Sequence, residues 1–260
     1  MEKKSISFIG GGRITRIFLQ AFQNKNKIFK EIIVYDLNPD ILKRLKNKYE
    51  YIQIETDNIE KAAKCDIIFL ALHPPVIKET LTKISEFISY DSILVSLAPK
   101  ITISKIQETL NGFKRIARVN PSATGIINEG INPIAFSETM DPKDREYLVS
   151  VLQILGKTQV VEESKIEAYA IISAMGPTYF WFQIEQLKLL GISYGMDNKE
   201  AEETITGMIN GAANTLFKSK LTPEEVMDLV AVKPLGEYEE TITKFYIEKL
   251  NAIYNKIKSE

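Results

Sequence analysis

The chain has 260 residues, with 33 basic against 34 acidic side chains and a formal net charge of −1, a balance that gives no electrostatic case for nucleic acid or an anionic membrane surface as partner. One cysteine, Cys65, excludes an intrachain disulfide framework, and one histidine, His73, with no Cys/His cluster gives no expectation of a metal site. The length suits one large domain or two moderate ones, and no stretch approaches the ~20 apolar residues of a membrane span. Met1-Glu2-Lys3-Lys4 runs almost directly into the first apolar segment, so no signal peptide is expected and a reducing cytoplasm is the expected compartment.

Ile6 to Ile9 reads as a buried strand, and Gly10-Gly11-Gly12 follows it. Ile14, Ile17, Phe18, Ala21 and Phe22 then recur at the spacing of a helix stripe. Ile32 to Tyr35 forms a second apolar run that ends on Asp36, 24 residues beyond Gly12. This order of strand, glycine turn, helix, strand and acid predicts a dinucleotide-binding unit. Gly10 permits the tight turn, and Gly12 lets the backbone approach a pyrophosphate. Arg13 and Ile14 open the helix, whose free amides and positive dipole end hold the anion. The Arg13 side chain has two readings, a pyrophosphate partner or a solvated arginine. Asp36 accepts from ribose hydroxyls and favours NAD(H), since its charge opposes a 2′-phosphate. Lys43 and Arg44 soften that preference and leave NADP(H) open. Thr15 stands where the fingerprint has Gly or Ala, and its bulk is expected to loosen helix–strand contact slightly.

Asn38-Pro39 turns the chain into a helix ending near Lys48, Tyr51 to Ile54 reads as the third strand, and Asn58 caps a short helix. Ile67 to Leu72 is an unbroken apolar run, suited to a parallel strand buried on both faces. At His73-Pro74-Pro75 the prolines are expected to force a loop beside the ligand crevice. A helix through Val76, Ile77, Leu81, Ile84 and Ile88 precedes a strand from Ser92 to Leu97 and a short helix from Thr102. Strands follow at Arg115 to Val119 and around Ile134 to Phe136, then a helix from Asp141 or Pro142 to Leu155. Thr158 to Val161 closes the alternating region. Gly156-Lys157-Thr158 lacks the first glycine of a P-loop and is not read as one.

From Glu162 onward only helical patterns remain, so residues 1–161 are expected to form the dinucleotide domain and 162–260 a helical one. Gly176-Pro177 interrupts the stretch from Ser164 to Leu190. Asp197 with Glu200, and Thr222 with Glu225, form capping boxes. Gly207 and Gly211 lie inside the first of those helices, where each costs about 1 kcal/mol relative to alanine. A close helix–helix contact, within a subunit or between two, is expected to offset that. Ile242, Phe245, Tyr246, Leu250, Ile253 and Ile257 share one face of the last helix.

Six segments occur in an order that resembles one family. They are Ile9-Gly10-Gly11-Gly12-Arg13-Ile14, Leu70-Ala71-Leu72-His73-Pro74-Pro75, and Ser96-Leu97-Ala98-Pro99-Lys100-Ile101-Thr102. Next come Arg118-Val119-Asn120-Pro121-Ser122 with Asn128-Glu129-Gly130, then Leu155-Gly156-Lys157, then Ser173-Ala174-Met175-Gly176-Pro177-Thr178-Tyr179. Together they resemble the pyrroline-5-carboxylate reductases over nearly the whole chain, from the glycine turn through "A-V-K-P-Q", "S-I-A-A-G-I-T", "R-V-M-P-N" and "L-G-K" to "S-G-S-G-P-A-Y". The resemblance implies an α/β fold: an N-terminal Rossmann domain, doubly wound on a mostly parallel sheet, with an all-α C-terminal dimerisation domain. It implies self-association as a homodimer or ring of dimers. It also implies hydride transfer from NAD(P)H to the C=N carbon of a small cyclic imino acid, giving proline. Gly10, Gly12, Leu72 and Pro74 then correspond to cofactor contacts, and Ser173, Gly176, Pro177 and Tyr179 to substrate-pocket lining.

The departures lie in the substrate half. Met175 replaces a serine, and Val230-Ala231-Val232-Lys233-Pro234-Leu235-Gly236-Glu237-Tyr238 stands where the family has "V-T-S-P-G-G-T-T". Lys233 is either a replacement partner for a substrate carboxylate or a solvated lysine. Tyr179 and Tyr238 are candidate proton donors, with core or interface packing as the other reading. His73 suits a hydrogen bond to a ribose or phosphate better than catalysis, since the family has lysine there. Two rivals follow from these departures: a Rossmann dehydrogenase for a different small acid or imine, and a dimeric nucleotide-binding protein without reductase activity.

Overall fold

Unbroken apolar runs in the first half of the chain become strands covered on both sides. The computed structural model describes residues 3–258, so the expectation built on Met1 and Glu2 lies outside the described residues. The first part alternates β1 (Ile6–Ile9), α1 (Arg13–Asn24), β2 (Ile32–Tyr35), α2 (Pro39–Lys48), β3 (Gln53–Glu55), α3 (Ile59–Ala63) and β4 (Ile67–Leu70). It continues with α4 (Pro74–Ile84), β5 (Ile93–Ser96), α5 (Ile103–Thr109), β6 (Ile116–Val119), β7 (Gly130–Phe136), α6 (Pro142–Leu152) and β8 (Gly156–Val160). After α7 (Ile166–Tyr169) and a π-helical turn at Ala170–Ala174 come α8 (Pro177–Ser193), α9 (Asn198–Lys218), α10 (Pro223–Asp228) and α11 (Glu239–Ile257). The chain divides into two compact units, one running to Met175 and including the end of α11 from Ile253, the other Gly176–Ala252.

The strand order is β3-β2-β1-β4-β5-β6-β7-β8, and every pairing is parallel except that of β6 with β7. The doubly wound, mostly parallel sheet is therefore the one expected. Its order reverses between β1 and β4, and a ligand crevice opens at the carboxyl ends of strands at such a switch point. Successive residues of β4 feed opposite cores: Ile67 and Phe69 join Phe8, Phe18 and Phe22, whereas Ile68 and Leu70 join Ile77, Leu81 and Ile106. Phe8 stacks on Phe69 with ring centroids 4.9 Å apart, and Phe18 tilts against both.

Several boundaries differ from expectation, and β7, β8 and α6 differ by two to four residues at one end. The third strand begins at Gln53 because Ile52 N donates to Tyr49 O and closes a turn first. β4 stops at Leu70: Ala71 N still donates to Ile9 O, but the chain then leaves the sheet. His73-Pro74-Pro75 is not a loop, because Pro74 is the first residue of α4 and His73 its N-cap. A proline at that position loses no helix hydrogen bond, so the residues that end the strand also start the helix.

In the second unit α8 and α9 pack together, with Lys188 Nζ 2.5 Å from Glu202 Oε1. Both anticipated capping boxes are present, at Asp197/Glu200 and Thr222/Glu225. Among the described residues of α8 to α11, Ala201 is the one buried apolar side chain.

Candidate functional site

The three glycines after β1 are there for three different reasons. Gly10 has φ +109°, and a Cβ on it would lie 2.4 Å from the Ala71 carbonyl oxygen, so β4 can approach only a glycine. A Cβ on Gly11 would meet Ile41 Cγ2 at 2.9 Å and Leu45 Cδ1 at 3.2 Å, so α2 packs against its bare Cα. A Cβ on Gly12 would meet nothing within 4 Å. Gly12 is also the N-cap of α1, and the space over it is open to a ligand.

No side chain caps α1, so its first-turn amides at Arg13 and Ile14 face the space over Gly12. Thr15 corrects an expectation. It is fully buried, and its hydroxyl donates to Gly10 O at 2.5 Å, so the extra atoms tie the turn to the helix instead of loosening it. Asp36 Oδ2 accepts from Gly11 N at 2.7 Å and Oδ1 from Asn38 N at 2.9 Å. The acid therefore braces the glycine turn, and each oxygen keeps a lone pair for another donor.

Between β1, β2 and α4 lies a slot of about 160 Å³ lined by Gly10, Asp36, Leu37, Leu72 and Val76 among others. Leu37 is 78% exposed and Val76 46%, two apolar side chains left in solvent at its walls. An acid beside a slot with apolar walls suits an adenosine: ribose hydroxyls to Asp36, base between Leu37 and Val76. These residues fit a dinucleotide. Leu37 was not singled out in the sequence, where an apolar residue just after the acid was the available signal, and Val76 was read only as part of the α4 apolar stripe. Leu72 lines the slot; His73 is exposed and Pro74 half-buried, and neither lines it.

The candidate substrate residues fall in both units. Ser173 Oγ donates to Tyr169 O at 2.8 Å within the π-helical turn, and Met175 N donates to Ala170 O as it ends. Such turns recur at functional sites because they re-aim side chains within a helix. In the second unit, Gly176 and Pro177 open α8, and Tyr179 meets Tyr246 edge-to-face at 5.9 Å. Burial, with Tyr246 beside it, raises the Tyr179 phenol above its ordinary value, so it stays protonated through neutral pH. Lys233 and Tyr238 share one tight turn, in which Gly236 N donates to Lys233 O and Tyr238 N to Leu235 O; both side chains are exposed.

A buried ion cluster lies near the end of β6. Arg118, 1% exposed, donates to Glu163 Oε1 at 2.9 Å and Glu167 Oε1 at 2.5 Å. Glu163 Oε1 also accepts from Ile103 N at 2.7 Å. The cluster joins the sheet to α5 and α7. Among the described residues no group of His, Cys, Asp and Glu is placed to hold a metal, and no helix is long and apolar enough to cross a membrane.

Family models match two stretches. Residues 5–100 match "NADP oxidoreductase coenzyme F420-dependent", and residues 163–257 match "Pyrroline-5-carboxylate reductase dimerisation". The chain is 27% identical over 237 residues to the pyrroline-5-carboxylate reductase of Methanosarcina acetivorans, covering 91% of this chain and 87% of that one. It is 25% identical over 231 residues to that of Escherichia coli, covering 88% and 85%. Among solved structures, the Plasmodium falciparum pyrroline carboxylate reductase with NADP bound superposes with a TM-score of 0.82 at 23% identity, covering 99% and 98%. An Aquifex aeolicus prephenate dehydrogenase does so with a TM-score of 0.59 at 14% identity, covering 95% and 99%. The structural likenesses establish the fold.

Proposed function

The chain belongs to the pyrroline-5-carboxylate reductase family, and from that premise we propose that it reduces the C=N bond of a small cyclic imino acid with a nicotinamide dinucleotide. The observation that carries the reading is the open space over Gly12 beside uncapped α1 amides, together with the slot that Gly10, Asp36, Leu37 and Val76 line. Gly10, Gly12, Arg13 and Ile14 hold the pyrophosphate, Asp36 the ribose, and Leu72 with His73 and Pro74 flanks the route toward the reacting end. Asp36 taken alone favours NADH; Lys43 and Arg44, close by in sequence, argue the other way.

The reduced nicotinamide supplies the hydride. A protonated imine is already electrophilic, so the chain's own work is placing the C=N carbon and supplying a proton. Ser173 and Met175 in the first unit, and Gly176 and Pro177 in the second, are the residues assigned to substrate contact. Tyr179, held protonated, is the candidate donor to nitrogen. Lys233 and Tyr238 read the substrate carboxylate in place of the hydroxyl and glycine donors of the family's loop.

The helical unit, with residues 162–260 as its domain, serves self-association, and we read the assembly as a homodimer or ring of dimers. A Cβ on Gly207 or Gly211 would meet nothing within 4 Å, so none of the described residues packs on that stripe, and a second copy is the natural occupant. The compartment we assign is the cytoplasm. Oxidation of NADPH or NADH dependent on pyrroline-5-carboxylate tests the activity. Turnover with a panel of cyclic imines and 2-hydroxy acids but not with that substrate would favour a different dehydrogenase. Binding of dinucleotide without turnover of any would favour a nucleotide-binding protein.

A further inference from the structure

At the amino ends of the parallel strands, opposite the glycine turn, lies a cavity of about 370 Å³. Lys3, Lys4, Lys30 and Lys143 line it with Tyr147, and Asp66 and Asp144 are its two acids. Four ammonium groups against two carboxylates is a local excess in a chain whose net charge is −1. β1 spans four residues, so about 13 Å of strand separates the cavity from the glycine turn. The dinucleotide reading makes no use of it.

The sheet brings these residues together. Lys4 precedes β1, Lys30 precedes β2 and Asp66 precedes β4. Lys30 N donates to Lys4 O at 3.0 Å and Ile67 N to Ser5 O at 3.1 Å, so the three strand starts stand side by side. Lys143 and Tyr147 lie one helical turn apart and share a face of α6. Lys4 Nζ stands 5.1 Å from the centre of the Tyr147 ring. Both acids have other partners. Asp66 Oδ2 accepts from Ser5 N at 2.6 Å and from Ser5 Oγ at 2.7 Å. Asp144 Oδ2 accepts from Arg115 Nε at 2.7 Å, and Lys4 Nζ is 3.8 Å from Asp144 Oδ1, beyond a hydrogen bond. Lys3, Lys30 and Lys143 make no ion pair among the described residues.

An ammonium is a compact point charge with three donors, and several that converge from separate segments suit an anion whose oxygens point several ways. A carboxylate is planar and singly charged. A phosphoryl group, with a charge near −2 and three acceptor oxygens, matches the lysines better. The volume is within the range of small-molecule sites, and the Tyr147 ring offers an organic group an apolar wall. We propose that this cavity is a second ligand site, which takes a small phosphomonoester. Lys3, Lys30 and Lys143 surround the phosphoryl group, and Lys4 and Tyr147 flank the organic part. The proposal stands apart from the dinucleotide reading.

The test is calorimetric titration of the full chain with glucose 1-phosphate and with glycerol 3-phosphate, with and without saturating NADPH. Glucose, inorganic phosphate and potassium sulfate at matched ionic strength are the controls. The wild type is expected to bind at least one of the two esters with one site per chain, about tenfold or more tighter than phosphate or sulfate, and to ignore glucose. NADPH should leave that affinity unchanged. Lys30→Gln/Lys143→Gln and Lys143→Glu should each weaken it by about tenfold or more. The second puts an acid in the first turn of α6, where it suits the helix dipole, so folding is retained. Saturable binding of neither ester overturns the proposal, as does equal affinity for sulfate or inorganic phosphate, which would mean attraction by diffuse charge alone. Displacement of the ester by NADPH overturns it by placing the ester in the cofactor crevice. Undiminished affinity in both variants overturns it by placing the ester elsewhere.

Discussion

The two compact units treat their apolar residues in opposite ways. In the first, both faces of the sheet are covered by the chain's own helices, and Phe8, Phe18, Phe22 and Phe69 are fully buried. In the second, Phe180, Trp181, Phe182, Phe217 and Phe245 are all more than half exposed, and Gly207 and Gly211 face open space. Monomeric proteins rarely leave so much apolar surface in water. The first unit has a covered core within one copy, whereas the second leaves its apolar faces uncovered there. A substitution in the first unit should therefore be felt as lost stability of a single chain, and one on the open faces of the second as lost assembly.

The sharpest break of that contrast is at Arg118. Arg118→Ala removes the buried guanidinium from which Glu163 and Glu167 accept and should cost about 3–5 kcal/mol of unfolding free energy, read by urea denaturation. A loss within experimental error would mean that the cluster is solvated in solution. Asp66 comes next. Burial pushes its carboxyl up, but the Ser5 hydroxyl and amide, with Lys4 and Lys30, bring it below the usual carboxylate range. A depressed folded value means that its stabilisation is complete above the unfolded value and is lost as pH falls through the folded one. Asp66→Asn should thus cost about 1.5–3 kcal/mol at neutral pH, with the gap from wild type closing on acidification.

The second unit supplies the counter-test. Gly207→Leu/Gly211→Leu should raise the intrinsic helicity of α9 yet weaken self-association by at least about tenfold, or 1.4 kcal/mol, in sedimentation equilibrium. Unchanged association would put the interface on another face. The smallest effect is at Thr15→Val, which removes the hydrogen bond to Gly10 O and should lower stability by about 1 kcal/mol in thermal unfolding.

Much of the first unit was legible because its signals are local. A glycine turn, an acid at the next strand's end, the Asn58 cap and the helix starts at Asn38-Pro39 and Thr102 each act within a few residues, and all are made. The antiparallel turn of β7 against β6 was not legible, because apolar periodicity carries no strand direction. Nor was the bracing of Gly11 by Asp36, nor Arg118 as a buried ion partner, since each depends on contacts between residues far apart in sequence. His73-Pro74 was misread because the same residues that end a strand can start a helix, and only the connection length decides between loop and helix. The exposed apolar faces of the helical unit were legible as stripes, but a stripe does not say which molecule covers it.

Gly12 gives the most direct test, because it is the one glycine of the turn at which a Cβ would meet nothing within 4 Å. Calorimetric titration of the wild type and Gly12→Val with NADPH and NADH, alongside their thermal unfolding, separates ligand approach from packing. Saturable binding by the wild type is expected, with a loss of about a hundredfold or more in the variant. The stability cost should be no larger than the ~1 kcal/mol of an unfavourable N-cap residue, since a Cβ there meets nothing within 4 Å. Equal affinities in the two proteins, or no binding by the wild type, would contradict the dinucleotide reading.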